Sequence, residues 1–243
     1  MNMLAMDSSN KTMTVAIMED DCCLAEITVT NTLQHSTQLM PAIEQVFQQS
    51  KLKANQIDRI AVAQGPGSYT GLRIGVTLAK TLAYAMNCEL VGISSLAVLA
   101  ANVDEQAAQG SQLVPFFDAR RDNIFTGVYA WREGQLVETQ TERHISWEKW
   151  LELLQASKEN YHFIGQMDSA QEARVLSILG DRAHFADEGE TIPKASQLGR
   201  LALSANPVDQ ATFTPTYLKL AEAEENWMQN HPDMQEVDYV ERL

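Results

Sequence analysis

The feature that most constrains the fold is a glycine-rich turn between a strand and a helix. Residues 64–75 read QGPGSYTGLRIG. The apolar run before them, 57–63, predicts a buried strand, and apolar spacing over 72–86 predicts a helix capped by Ser68 or Thr70. Glycines permit positive φ and a close approach of another backbone or a ligand, and a helix N-terminus offers unpaired N–H groups. The unit is therefore either a tight strand-to-helix connection or an anion site.

Three well-known functional loops do not match this stretch. A Walker A loop needs Lys and then Ser or Thr after its last glycine, where Leu72 and Arg73 stand. The dinucleotide fingerprint needs a third glycine at the position of Thr70. The nucleophile elbow of hydrolases needs glycines two residues either side of Ser68, where Pro66 and Thr70 stand. The turn therefore belongs to none of these classes.

The charge around the turn differs from that of the rest of the chain. The 243 residues carry a net charge of −14, yet residues 59–88 contain Arg59, Arg73 and Lys80 and no acidic residue. This basic island suits an anion or an acidic partner, although solvated side chains would give the same count.

The helix over 72–86 is apolar around more than half of its circumference, which is more than one sheet needs. Small residues recur along it at Gly71, Gly75, Ala79 and Ala83, a spacing that allows a close approach of a second element. We expect the helix to be covered both by the protein's own sheet and by a partner helix, and periodicity does not decide which residues face which. The predicted partner interface, completed by a first helix over 35–49, comprises Leu39, Met40, Ile43, Leu72, Arg73, Gly75, Val76, Ala79, Lys80 and Ala83.

Composition excludes several classes of protein. No apolar run approaches the ~20 residues of a membrane span, and the N-terminus lacks the basic region of a signal peptide, so we expect a cytoplasmic protein with no membrane contact. Three cysteines and five histidines show neither a disulfide framework nor metal-ligand spacing, so no metal site is predicted. The acidic balance argues against this chain binding nucleic acid alone.

The order of predicted elements indicates the fold class. The first part has the order βββαβαβα, an α/β arrangement with a mixed sheet flanked by helices. This order resembles that of the ribonuclease H-like lobe in the actin, sugar kinase and Hsp70 superfamily. The resemblance implies that Asp7 holds the place of an Asp that faces nucleotide phosphate and magnesium in those proteins. A similar strand–Asp–turn–strand pattern recurs at Asp118. We predict an N-terminal lobe at 1–106, a smaller, degenerate second lobe at 107–220 and an acidic tail at 221–243. A helix near 195–205 is expected to pack back on the first lobe.

Two catalytic classes have to be considered. Asp7 and Asp118 together could hold magnesium as in a phosphotransferase, or each could merely cap a hairpin turn. Ser68 with a distant His and Asp could form a peptidase site. The second lobe lacks a glycine-rich phosphate turn after Asp118, so no complete catalytic set is visible, and no catalytic residue is predicted. A vestigial phosphate or anion site is predicted from Asp7, Ser8, Gly65, Gly67 and Ser68.

Motifs along the chain resemble those of one family. The stretch 65–75 resembles the signature of the bacterial TsaB (YeaZ) family. Further matches, in the same order as in that family, are Asp7-Ser8-Ser9, His35-Ser36, Asp118-Ala119-Arg120-Arg121 and Tyr217-Leu218-Lys219.

The resemblance implies a function and partners. It implies a subunit without robust catalysis that supports its paralogue TsaD in forming threonylcarbamoyladenosine beside the anticodon of tRNA. It also implies binding of TsaD, binding of the pair by the ATPase TsaE, and a homodimer through the same N-lobe helices when the chain is alone. No cofactor is expected for this chain, because the complex would use ATP and magnesium, and tRNA would be contacted only through the complex.

Overall fold

A computed structural model describes residues 1–30, 35–108 and 110–219. The described residues form two five-stranded mixed sheets, each flanked by helices. The predicted acidic tail, 221–243, lies outside the described residues. Within the described part, no helix combines the length and apolar character needed to cross a bilayer.

The first lobe contains one hairpin-led sheet and two long helices. Its elements are β1 (Asn2–Asp7), β2 (Met13–Glu19), β3 (Cys22–Val29), α1 (His35–Ser50), β4 (Arg59–Gly65), α2 (Tyr69–Met86) and β5 (Glu89–Ser94). The strand order is β3-β2-β1-β4-β5. The first three strands are antiparallel, and β4 and β5 run parallel to β1. This arrangement confirms the predicted ribonuclease H-like lobe.

The second lobe repeats that topology. Two short helices, α3 (Ser95–Ala100) and α4 (Glu105–Ala108), lead into β6 (Gln112–Asp118), β7 (Asn123–Arg132), β8 (Gln135–Ser146), α5 (Trp147–Gln155), β9 (Tyr161–Ile164), α6 (Ser169–Leu179) and β10 (Ala183–Phe185). The order β8-β7-β6-β9-β10, with an antiparallel hairpin and parallel later strands, matches the first sheet position by position. Asp118 therefore corresponds to Asp7, since each ends the first strand of its lobe.

The two lobes share buried contacts. Helix α3 directly follows β5 of the first lobe. Its apolar residues Leu96 and Leu99 pack with Leu113 of β6 and Ile164 of β9 in the second lobe. A hydrogen bond joins the lobes as well. The Glu142 carboxylate of the second lobe accepts from the Ser94 hydroxyl of the first.

Helix α7 (Ala195–Ala202) returns to the first lobe, where Leu198 and Ala202 pack with Met3 and Met18. The N-cap residue is Lys194, which makes no side-chain cap bond. Instead, the Glu26 carboxylate of β3 accepts hydrogen bonds from the Ser196 N–H at 2.9 Å and hydroxyl at 2.8 Å. A distant acidic side chain therefore caps the helix and fixes it on the sheet.

The chain then lies along the first lobe as a segment that we call the C-terminal strap, residues 203–217. The Val208 N–H donates to the Leu90 carbonyl at 2.8 Å, and the Thr216 N–H donates to the Gln64 carbonyl at 2.8 Å. The guanidinium of Arg59 donates to backbone carbonyls at the end of α7 and the start of the strap. Because β5 is an edge strand, the strap also covers hydrogen-bonding groups that the edge would otherwise expose.

Candidate functional site: the glycine turn and the α1–α2 surface

The glycine turn joins β4 to α2 as predicted, with Ser68 as the N-cap. The Ser68 hydroxyl accepts from the Gly71 N–H at 3.4 Å. Gly65 lies at a φ of 118°, in the region that favours glycine, and any side chain there would overlap the Thr216 carbonyl of the strap. The turn is thus held from both sides, by its own cap and by the strap.

The loop after β1 fills the space in front of this turn. The Ser9 carbonyl accepts from the Ser68 N–H at 2.6 Å, and the Ser8 hydroxyl donates to the Gly71 carbonyl at 2.9 Å. A Cβ atom on Gly67 would overlap the Ser9 carbonyl, and one on Gly71 would overlap the Ser8 carbonyl. These glycines are therefore required for close approach rather than for positive φ, since neither lies in the left-handed region.

This packing determines what the turn can bind. Of the residues predicted for an anion site, Gly67 and Ser68 lie against the loop of Ser8 and Ser9 that follows Asp7. Gly65 lies against the Thr216 carbonyl of the strap instead. A backbone carbonyl, with its partial negative charge, accepts the Ser68 N–H that a phosphate would need. In this conformation the cradle is closed by the protein's own main chain.

Asp7 is fully buried beneath this loop. Its Oδ1 accepts from the Ser9 N–H at 2.7 Å, and its Oδ2 has no hydrogen-bond partner among the described residues. Burial raises the pKa of this carboxyl to about 6, and the hydrogen bonds from Ser9 oppose that rise without cancelling it. The carboxylate is therefore poorly solvated and not directed at an open site.

Asp118, the counterpart of Asp7, has a different environment. It is exposed, and its Oδ1 accepts from the Arg120 N–H two residues on, at 2.9 Å. Strand β9 ends before Gly165, where a Cβ atom would lie 2.6 Å from the Phe116 carbonyl. In the described part of the chain, no three His, Cys, Asp or Glu residues group in a way that could hold a metal ion.

Most residues of the predicted partner interface are buried between α1, α2 and the sheet, which corrects that part of the prediction. The residues assigned to that interface but buried inside the chain are Leu39, Ile43, Leu72, Gly75, Val76, Ala79 and Ala83. Ala79 and Ala83 belong to the core beneath α1 and α2, and a Cβ atom on Gly75 would overlap the Ser8 hydroxyl. The small-residue ridge therefore brings α2 close to its own sheet and loop, and it cannot face a partner.

The outward face of α2 forms an open groove with α1, which we call the α1–α2 groove. It has a volume of about 590 Å³. The residues that line it are Ser36, Leu39, Met40, Tyr69, Thr70, Arg73, Ile74, Thr77, Leu78 and Thr81. Of the predicted interface residues, Met40 and Arg73 are exposed there. Lys80 has another role, since its Nζ donates to the Phe213 carbonyl of the strap at 2.8 Å.

Aromatic and basic side chains gather at one end of the groove. The Arg73 guanidinium donates to the Tyr69 hydroxyl at 2.8 Å and lies 5.3 Å from the centre of the Tyr69 ring. Tyr217 also stacks on Tyr69, with its ring centre 5.0 Å from that of Tyr69. Sequence reasoning missed Tyr69 as a surface residue, although its i, i+4 spacing from Arg73 and Thr77 was a usable signal.

Comparisons with known proteins agree with this architecture. A family model described as "TsaD: tRNA N6-adenosine threonylcarbamoyltransferase" matches residues 24–227. The tRNA threonylcarbamoyladenosine biosynthesis protein TsaB of Bacillus subtilis is 34% identical over 230 residues, covering 95% of this chain and 99% of that protein. The structure of YeaZ from Pseudomonas aeruginosa superposes with a TM-score of 0.72 at 21% identity, covering 89% of this chain and 99% of that one.

A transferase relative matches a shorter part of the chain. The tRNA N6-adenosine threonylcarbamoyltransferase of Protochlamydia amoebophila is 44% identical over 61 residues, which is 25% of this chain and 18% of that enzyme. The nearly full-length match to the Bacillus subtilis protein therefore determines which group of the family the chain resembles. The chain belongs to the family that the TsaD model describes and, within it, to the TsaB (YeaZ) group, as the sequence resemblance predicted.

Proposed function

We propose that this chain is a non-catalytic subunit that binds a TsaD-type transferase and supports the formation of threonylcarbamoyladenosine beside the anticodon of tRNA. The observation that carries the proposal is the contrast between the two faces of α2. Its inner side closes the phosphate cradle with the protein's own backbone, and its outer side forms an open groove with α1. Family membership supplies the reaction in which such a subunit would take part.

The closed cradle supports the absence of independent catalysis. A phosphotransferase of this fold would need the turn before α2 open to phosphate, but Ser9 occupies that place. Asp7 is buried and Asp118 is exposed, so they do not form a matched pair of magnesium ligands. ATP and magnesium would therefore be used by the assembled complex. A peptidase is not favoured, since the Ser68 hydroxyl serves as a helix cap.

The α1–α2 groove is the surface on which we place the TsaD-type partner. Exposed Met40, Tyr69 and Arg73 lie beside half-buried Ile74 and Leu78, and interfaces are enriched in Met, Tyr and Arg. The same groove would hold a second copy of the chain when the transferase is absent. A TsaE-type ATPase would bind the assembled pair. The net charge of −14 supports contact with tRNA only through the complex, and we assign the protein to the cytoplasm.

Charge introduced into the groove tests the interface. Thr77→Glu and Met40→Asp place a carboxylate on exposed positions, so the fold should be retained while an unpaired charge is buried on binding. We expect copurification of an untagged TsaD-type partner to be lost and affinity measured by titration calorimetry to fall at least ~10-fold. Gln155→Glu, exposed on α5, is the matched control. Native affinity in both groove variants would contradict the assignment.

A second measurement addresses catalysis. The purified chain should not hydrolyse ATP over multiple turnovers and should not modify tRNA by itself. Multiple-turnover hydrolysis that Asp7→Ala abolishes would refute the non-catalytic assignment and restore the phosphotransferase alternative.

A further inference from the structure

The described chain ends at the mouth of the α1–α2 groove. Tyr217 stacks on Tyr69, which lines the groove, and the described residues stop two positions later at Lys219. The described part of the chain thus ends beside the surface on which we place the partner, and residues 220–243 follow in the sequence.

The groove and this segment have complementary charge. Arg73 is charged and lines the groove, and α2 as a whole carries Arg73 and Lys80 without an acidic residue. The sequence 220–243 carries seven acidic residues against Arg242, and Trp227 and Met228 follow the first three of those acids. A segment with both carboxylates and large apolar side chains suits a groove with a cation at one end and Met40, Ile74 and Leu78 along its walls.

The length of the segment also suffices. The groove extends along α2 from Tyr69 to Thr81, a distance of roughly 18 Å at 1.5 Å per helical residue. Twenty-four residues can span up to roughly 80 Å when extended, so about the first quarter of the segment would suffice to span the groove. Because the segment is tethered at the groove, its effective concentration would be in the millimolar range.

We propose that residues 220–243 occupy the α1–α2 groove of their own chain in the free protein and compete with the TsaD-type partner. The inference rests on the proposed function for the identity of the competitor. At an effective concentration of ~1 mM, a segment whose intrinsic dissociation constant is ~0.1 mM would weaken partner binding about 10-fold. The segment would thereby limit self-association, and a partner that binds the groove more tightly than the segment would displace it.

A full-length variant with a neutralised segment tests the competition. It combines Glu222→Gln, Glu224→Gln and Glu225→Gln with Trp227→Ala, and its affinity for the partner should rise about 10-fold in titration calorimetry. The control variant Glu148→Gln, Glu152→Gln, Glu172→Gln removes the same charge from exposed positions on α5 and α6 and should leave affinity unchanged. This control separates competition from a general effect of net charge.

A peptide added in trans measures the groove directly. A synthetic peptide of residues 220–243 should bind the neutralised variant, and adding Thr77→Glu to that variant should weaken the binding. A scrambled peptide of the same composition should bind no better than background. Unchanged or weaker partner affinity in the neutralised variant, or equal binding of the two peptides, would overturn the inference.

The two hypotheses fail in different ways. If Thr77→Glu abolishes partner binding but the peptide does not bind, the proposed interface stands and the competing segment is refuted. If Thr77→Glu weakens the peptide but leaves the partner bound, the segment stands and the partner interface lies elsewhere. An affinity gain that appears only at high protein concentration would mean that the segment docks on a second copy, which overturns the intrachain form.

Discussion

Replacing Asp7 with asparagine should make the protein more stable at neutral pH and should flatten the pH dependence of its unfolding free energy. The carboxyl is fully buried, and one of its oxygens has no hydrogen-bond partner among the described residues. Asparagine keeps an oxygen that can accept from the Ser9 N–H, the bond that holds the loop after β1. The substitution therefore removes a poorly solvated charge and preserves the local geometry.

The size of the effect follows from the pKa of Asp7 in the two states. The pKa is 3.8 in the reference state and about 6 in the folded protein, where burial raises it. At a pH between these two pKa values, Asp7 has released its proton in the unfolded chain but still holds it in the folded chain. Stability is therefore greatest below the unfolded pKa and is lost as the pH rises through about 6. The full difference corresponds to about 3 kcal/mol, of which roughly half would already be lost at about pH 5.

Urea denaturation of both proteins at about pH 5 and about pH 7.5 measures this difference. The stability gained by Asp7→Asn should grow by about 1–1.5 kcal/mol between the two conditions. Asp118→Asn is the matched control, because Asp118 occupies the equivalent strand end and accepts the equivalent N–H but is exposed. Asp118→Asn should change stability little, because the side chain is exposed. A pH-independent effect at Asp7 would show that its charged form is solvated, which refutes the description of a closed cradle.

Two further substitutions test the packing around α2. Gly67→Ala should destabilise the fold by about 1–3 kcal/mol, because its methyl group would meet the Ser9 carbonyl, whereas Gly189→Ala, with open space around it, should change the thermal midpoint little. An unchanged midpoint for Gly67→Ala would show that the loop yields without cost. Ala79→Glu should cost roughly 3 kcal/mol or more, because the new carboxylate would enter the core, and circular dichroism should show a much lower midpoint than for Thr77→Glu. A fully stable Ala79→Glu protein would place this ridge on the surface after all.

The fold could be predicted from sequence because its signals are local. Apolar runs indicated the strands. Ser68, one of the two residues predicted to cap α2, accepts a cap hydrogen bond, as Ser94 does for α3 and Ser146 for α5. Contacts between distant parts of the chain left no such signal. The capping of α7 by Glu26 joins residues about 170 positions apart, and the three-residue strand β10 is too short to show a period.

The anion site predicted from Asp7, Ser8, Gly65, Gly67 and Ser68 stays a prediction. The loop after β1 and the turn after β4 meet because these strands are parallel neighbours. The buried face of α2 was harder to predict, because a wide apolar arc has the same period whichever side is buried. The position of the loop after β1 determines which side of α2 is buried. Sequence periodicity does not report where a loop from another strand will lie.

The glycine turn and the ridge of small residues on α2 form one continuous contact rather than two features. Gly67, Gly71 and Gly75 follow one another at four-residue spacing, and a side chain on each would meet the loop of Ser8 and Ser9. Their contact sets the rotation of α2 about its axis. That rotation places Tyr69, Arg73 and Thr77 outward, since residues four apart share a face. The packing that places the Ser9 carbonyl on the Ser68 N–H therefore also presents the α1–α2 groove, and a change that displaced the loop of Ser8 and Ser9 would be expected to rotate the groove.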